Sequence, residues 1–505
     1  MNIQRAKQEI KDTVEAYLLK DEHGEYEIPS VRQRPILLIG APGIGKTQIM
    51  EQVAEECGIG LVAYTITHHT RQSAIGLPFI VEKEFHGQKM SVTEYTMSEI
   101  VASIYEKMEQ TGWQEGILFL DEINCVSETL APAMLQFLQC KSFGNHKIPE
   151  GWIIAAAGNP PEYNKSVREF DIVTLDRVKK IEVEPDFTAW KAYAYRAQIH
   201  PAVISYLNIR PQNFYRMETT VDGKSFATPR GWEDLSRILA VYEKLKKKLD
   251  AEVVVQYIQH DQTARDFANY LELYYKYQTD YQIEAVFAGT IDPILEKKVA
   301  HASFDERLSV IGLLLAGLND RFRRVYRKER MLETLMKLLR EYQAVPESDG
   351  IASLLEQTEA YRKDWQMKRE NGVLSGQEEQ IARDVTACLD TYARKLREQM
   401  ADSQMDTDTC FLQIRTWFVT ENEALADLQD AAGEVLEHVF DFMESLFGES
   451  QELAVFMTEL NASSYALSYL TEYDCERYQR YNQSFMFDEN RDRLLRRINH
   501  MENWG

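Results

Sequence analysis

Ile36-Leu-Leu-Ile-Gly-Ala-Pro-Gly-Ile-Gly-Lys-Thr47 decides how this chain is read. The apolar run Ile36 to Ile39 has the character of a buried strand, and it leads directly into GAPGIGKT, a complete G-x-x-x-x-G-K-[ST] loop. Gly40, Gly43 and Gly45 let the backbone curl so that successive N–H groups, including those of Ala41 and Ile44 around the rigid Pro42, face a single anion. Thr47 to Cys57 carries Ile49, Met50, Val53 and Cys57 on one face and meets Gly58, which predicts a helix whose positive N-terminus faces the same anion. In such a loop Lys46 reaches the β- and γ-phosphates of a nucleoside triphosphate, and the Thr47 hydroxyl is an Mg²⁺ ligand.

Downstream, Gly116-Ile-Leu-Phe-Leu-Asp-Glu-Ile-Asn124 is a second apolar strand, and it ends in two carboxylates. A strand of a parallel sheet is apolar on both faces and presents ligands at its C-terminal edge, where Asp121 would hold Mg²⁺ and Glu122 would orient or deprotonate a water. A third strand, Trp152-Ile-Ile-Ala-Ala-Ala-Gly158, runs into Asn159-Pro160, which makes Asn159 a candidate for positioning that water. Two arginines stand at element boundaries: Arg177 in Thr174-Leu-Asp-Arg-Val178, and Arg230 in Thr228-Pro-Arg-Gly-Trp232. Thr228 as N-cap with Pro229 at the first helical position starts a helix through Ile238. Guanidinium groups suit bidentate contact with phosphate oxygens.

Taken in order, GAPGIGKT, ILFLDEIN, AAAGNPP, TLDRV and ATPRGWEDL resemble the MoxR-like branch of the AAA+ ATPases, in the helix-2-insert group, over about residues 25 to 290. That resemblance implies an α/β fold with a parallel-sheet P-loop core, an all-α lid and an all-α C-terminal region. It implies ATP and Mg²⁺ as ligands, Asp121 and Glu122 as the Walker B pair, Asn159 as sensor 1 and Arg230 as sensor 2. Arg177 is similar to the arginine finger that acts on a neighbouring subunit, with Arg168 as its rival, so the active form would be a ring, most simply a hexamer. The branch is commonly coupled to partners with a von Willebrand factor A domain, in chaperone roles on a protein client. Val178 departs from the phenylalanine usual after the finger.

Between the phosphate loop and Asp121, the β-prone runs Phe79 to Phe85 and Gln88 to Tyr95 flank His86-Gly87, a hairpin pattern. Ile100, Ile104 and Met108 at i, i+4, i+8 then predict a helix. The hairpin matches the position of the group's insert, where such hairpins face the ring's central channel or a partner, with an ordinary solvent hairpin as the alternative.

A net charge of −23 opposes a surface built chiefly for nucleic acid, although a basic channel lining would keep a nucleic-acid-directed NTPase open as the alternative. No apolar run is long enough to span a bilayer, and six cysteines lack ligand spacing, so a reduced, cytoplasmic setting is expected. His68-His69 lacks companions for a metal site.

The expected organisation is an N-terminal helix over 1–24 with Ile3, Ala6, Ile10, Val14 and Tyr17 on one face, the nucleotide-binding core over 25–184 and a helical lid over 185–291. A helical extension over 292–345 and a helical C-terminal domain over 346–505 follow, joined at the linker Val345 to Gly350. In the C-terminal domain Leu425, Leu428, Ala432, Val435, Val439, Phe442 and Leu446 form one helical seam, read first as bundle core and second as a dock for a partner helix.

Overall fold

The computed structural model describes residues 1–68, 71–86, 88–143, 146–163, 167, 170–220, 223–290, 293–344, 350–370, 374–399 and 407–484. Gly87, His69, Arg168 and residues 345–349 of the expected linker lie outside them. The chain divides into two compact units, residues 1–190 with 210–266, and residues 191–209 with 267–505.

Among the described residues the strands are β1 (Ile36–Gly40), β2 (Gly60–Thr65), β3 (Pro78–Phe85), β4 (Gln88–Tyr95), β5 (Gly116–Asp121), β6 (Ser142–Phe143), β7 (His146–Lys147), β8 (Trp152–Gly158), β9 (Lys179–Val183), β10 (Arg216–Thr220) and β11 (Gly223–Ala227). All belong to the first unit. A five-stranded parallel sheet has the order β2-β5-β8-β1-β9, and the remaining strands pair as hairpins. Alternation along the strands sends their side chains to two separate cores. Leu37, Leu118, Leu120, Ile154 and Ala156 join Ile100 and Ile104 of the helix Glu99–Thr111 on one face. Ile36, Leu38, Ile117, Phe119, Ile153 and Ala155 join Met50 and Val53 of the helix Lys46–Cys57 on the other. The N-terminal helix Ile3–Leu18 adds Ala6, Ile10 and Val14 to this second core, which is why its apolar stripe has that spacing.

This order fixes where chemistry sits. β5, β8 and β1 are adjacent and parallel, so Asp121, Gly158 and Gly40 finish at one edge of the sheet and the segments after them converge there.

The β3–β4 hairpin forms as expected, registering Pro78 with Tyr95 and Phe85 with Gln88, with His86 at φ 52 entering its turn. A second hairpin, β10–β11, interrupts the stretch read as wholly helical, pairing Met217 with Phe226. Both strands are short, and the last pair, Thr220 with Gly223, places at φ 134 a residue whose missing side chain permits that backbone.

The second unit is helical. Its longest members, Phe304–Gln343 and Thr407–Phe447, are accompanied by Gly350–Glu370, Gly376–Gln399, Gln451–Ala462 and Ser464–Glu472. In Thr407–Phe447, Ala432, Val439 and Phe442 are buried as the seam predicts, whereas Leu428 is 37 % exposed and Leu436, Phe440 and Met443 are buried instead. The stripe is wider than one seam because more than one helix packs on it: Phe304–Gln343 and Gln451–Ala462 both contact Thr407–Phe447, the latter with Phe456 edge-on to Phe440. No described helix is long and apolar enough to cross a membrane.

Candidate nucleotide site

The loop after β1 takes the shape its glycines allow. Gly43 and Gly45 have φ 75 and 93, in the left-handed region. A Cβ on Gly40 would stand 2.6 Å from the Val183 carbonyl oxygen, so the backbone approaches β9 too closely for a side chain. Gly45 is the N-cap of Lys46–Cys57 and no side chain caps that helix, leaving its first N–H groups facing the cleft.

Lys46 is 9 % exposed. Its Nζ donates to the carbonyls of Gly40 at 2.9 Å and Ala41 at 2.8 Å, and to Asn159 Oδ1 at 2.9 Å. All three acceptors are neutral. Burial lowers its pKa to about 8, partly opposed by Asp121 and Glu122, while the Arg230 guanidinium pushes in the same direction as burial. A buried cation whose hydrogen bonds all go to neutral oxygens, beside an uncapped helix N-terminus, suits an incoming phosphate.

Thr47 Oγ1 donates to Asp121 Oδ2 at 2.8 Å, and the Glu122 N–H donates to Asp121 Oδ1 at 2.9 Å. Glu122 itself sits at φ 57, an uncommon backbone for a residue with a side chain. Thr67, just beyond β2, donates its hydroxyl to Glu122 Oε2 at 3.1 Å. Thr228 caps the helix Pro229–Lys244 by accepting from the Gly231 N–H at 3.2 Å. The next N–H in that first turn, from Arg230, donates to the Gly43 carbonyl at 3.2 Å, so the phosphate loop itself supplies a cap.

One cleft gathers Pro42 to Gln48, Asp121, Glu122, Asn159 and Arg230, and also Trp190, Pro229 and Glu233. Of the residues singled out from sequence, Pro42 to Thr47, Asp121, Glu122, Asn159 and Arg230 line this one cleft, whereas Gly40 and Ala41 do not line it and reach Lys46 through their carbonyls. Trp190 and Glu233 were not foreseen here; each comes from a helix whose relation to the loop is tertiary. Arg177 does not line this cleft. It is exposed, follows the short helix Ile172–Leu175 and donates to Gln139.

An apolar strand, a phosphate loop and a helix, with a strand-end carboxylate on the loop's threonine, define a P-loop nucleotide-binding domain. Residues 35–178 match the family model of the AAA domain, dynein-related subfamily, which supports an AAA+ ATPase. No curated protein matches the chain.

Proposed function

We propose that this chain is an Mg²⁺-dependent, ATP-hydrolysing AAA+ ATPase of the MoxR-like kind that works as a cytoplasmic ring, most simply a hexamer, and remodels a protein client. The observation that carries the reading is the pair of bonds Lys46–Asn159 and Thr47–Asp121, which join three adjacent strand ends around one cleft. The residues present suit the ligands: N–H groups of the loop and Lys46 for the phosphates, and two hard oxygen donors, Thr47 and Asp121, for Mg²⁺. Mg²⁺ held there would offset charge on the β- and γ-phosphates. In this reading Glu122 accepts a proton from the attacking water, Asn159 orients it, and Arg230 contacts the γ-phosphate from the same subunit.

Arg177 is assigned to the neighbouring subunit's nucleotide, because it is exposed and absent from the lining of its own cleft. The two exposed aliphatic residues close to it, Ile172 at 83 % and Val173 at 54 %, accord with a face that another copy covers. A partner with a von Willebrand factor A domain is part of the proposal by resemblance.

The test is the ATPase rate per subunit as protein concentration rises, for wild type, Arg177→Ala, Glu122→Gln and mixtures of the two variants. A rising wild-type rate, two inactive variants and turnover regained on mixing would establish a shared site. A rate independent of concentration and of Arg177 would refute the ring.

A further inference from the structure

β8 ends at Gly158 and the chain leaves the sheet at Asn159-Pro160, so the side chain that reaches Lys46 belongs to a residue just past regular structure. Something must hold its backbone. The β5 side supplies the grip: the Ile123 N–H donates to the Ala157 carbonyl at 2.9 Å, carrying the pairing past the end of β5. Asn124 then continues it with its side chain. Asn124 Nδ2 donates to the Asn159 carbonyl at 2.8 Å, and Asn124 Oδ1 accepts from the Asn159 N–H at 3.3 Å. One carboxamide therefore satisfies both main-chain polar groups of one residue, a two-point grip that fixes position and orientation together. The amide is 5 % exposed, so water does not compete well for either bond.

The fit depends on glycine opposite. A Cβ on Gly158 would lie 2.6 Å from Asn124 Oδ1 and 3.0 Å from Nδ2, so the amide lies against the bare α-carbon of Gly158. Its φ is not in the left-handed region, so contact with Asn124, and not backbone freedom, makes a side chain costly here.

We propose that Asn124 is a positioning residue for Asn159: it acts through the Asn159 backbone to aim Oδ1 at Lys46 and at the triphosphate end of the cleft. This rests on the ATPase reading above for its kinetic consequences, and on geometry alone for its effect on binding. A filler role would be met by any side chain of similar volume. Leucine keeps the same branched heavy-atom skeleton, is somewhat bulkier and makes neither hydrogen bond, so it leaves the Asn159 N–H and carbonyl without these partners.

The experiment compares full-length wild type, Asn124→Leu, Gly158→Ala, Asn159→Ala and the Asn124→Leu/Asn159→Ala double variant. It measures kcat and KM for ATP, together with dissociation constants for ADP and for a non-hydrolysable ATP analogue. In Asn124→Leu, kcat should fall about 10–100-fold with KM held within about threefold, as expected for a small misplacement of a reacting geometry. Gly158→Ala should act in the same direction by pushing on the amide, and it keeps the test alive if the leucine variant does not fold. The double variant should be no slower than Asn159→Ala alone, since one residue acts through the other.

Wild-type kcat in Asn124→Leu, losses that multiply in the double variant, or equal weakening of ADP and of the analogue would each overturn the proposal. If wild type fails to hydrolyse ATP, the ATPase reading falls and the grip is judged by binding. The preference for the analogue over ADP should then drop by the same factor in Asn124→Leu, Asn159→Ala and the double variant. An unchanged preference in Asn124→Leu would overturn it on that readout.

Discussion

Lys46 in the first unit and Lys191 in the second are both largely buried, and they are held in opposite ways. Lys191 pairs with Glu459, whose side chain is 5 % exposed and whose other oxygen accepts the Tyr195 hydroxyl at 2.8 Å. Among the described residues, Lys46 donates to two carbonyls and an amide oxygen and to no carboxylate. A buried charge that meets its counter-ion inside the fold serves the fold, and its loss strands the partner. A buried charge held by neutral groups is poorly compensated until an anion arrives, and its loss costs binding more than folding. The charge held by neutral oxygens is thus the one to expect at a site.

The largest effect expected from this contrast lies beside Lys46. Glu122→Gln should lower ATP turnover by about a thousandfold while leaving nucleotide affinity near wild type, measured by steady-state kinetics and by equilibrium binding. Normal turnover would remove Glu122 from the chemistry. Next, Lys191→Ala leaves Glu459 buried without its cation and should cost about 3–5 kcal/mol of stability in denaturant, with nucleotide affinity in the folded protein unchanged. Lys46→Ala should do the reverse, weakening nucleotide binding about 10–100-fold with no fall in melting temperature, because a charged hydrogen bond to phosphate is lost and an unfavourable burial is relieved. If Lys46→Ala and Lys191→Ala melted alike, the contrast would be broken. Smallest of all, Arg265→Ala removes an ion pair with Asp261 in which both side chains are about 70 % exposed, at 70 % and 68 %, and its melting temperature should match wild type within error.

The same contrast explains which features the sequence made legible. GAPGIGKT, the strand ending at Asp121-Glu122 and the strand ending at Asn159 each carry their information in consecutive residues, and parallel pairing then forces their ends together. Capping by Thr228 and the stop at Gly58 are local in the same way. Thr67, Trp190 and Asn124 are not. Each acquires its place through packing, and only Asn124, lying inside a stretch already marked by its carboxylates, offered any hint. In the helical unit the helical character was readable, but the buried stripe of Thr407–Phe447 was only half predicted. Burial of Leu436, Phe440 and Met443 depends on which neighbours pack there, and periodicity does not say that.

Glu122 stands at φ 57, where a glycine or asparagine would rest at less cost. Selection for foldability alone would therefore replace it. A library of position 122 sorted only for thermal resistance should drift towards those two residues, and the survivors should melt later and turn over less. The backbone at this one position thus records two demands on the chain that a single side chain does not meet together.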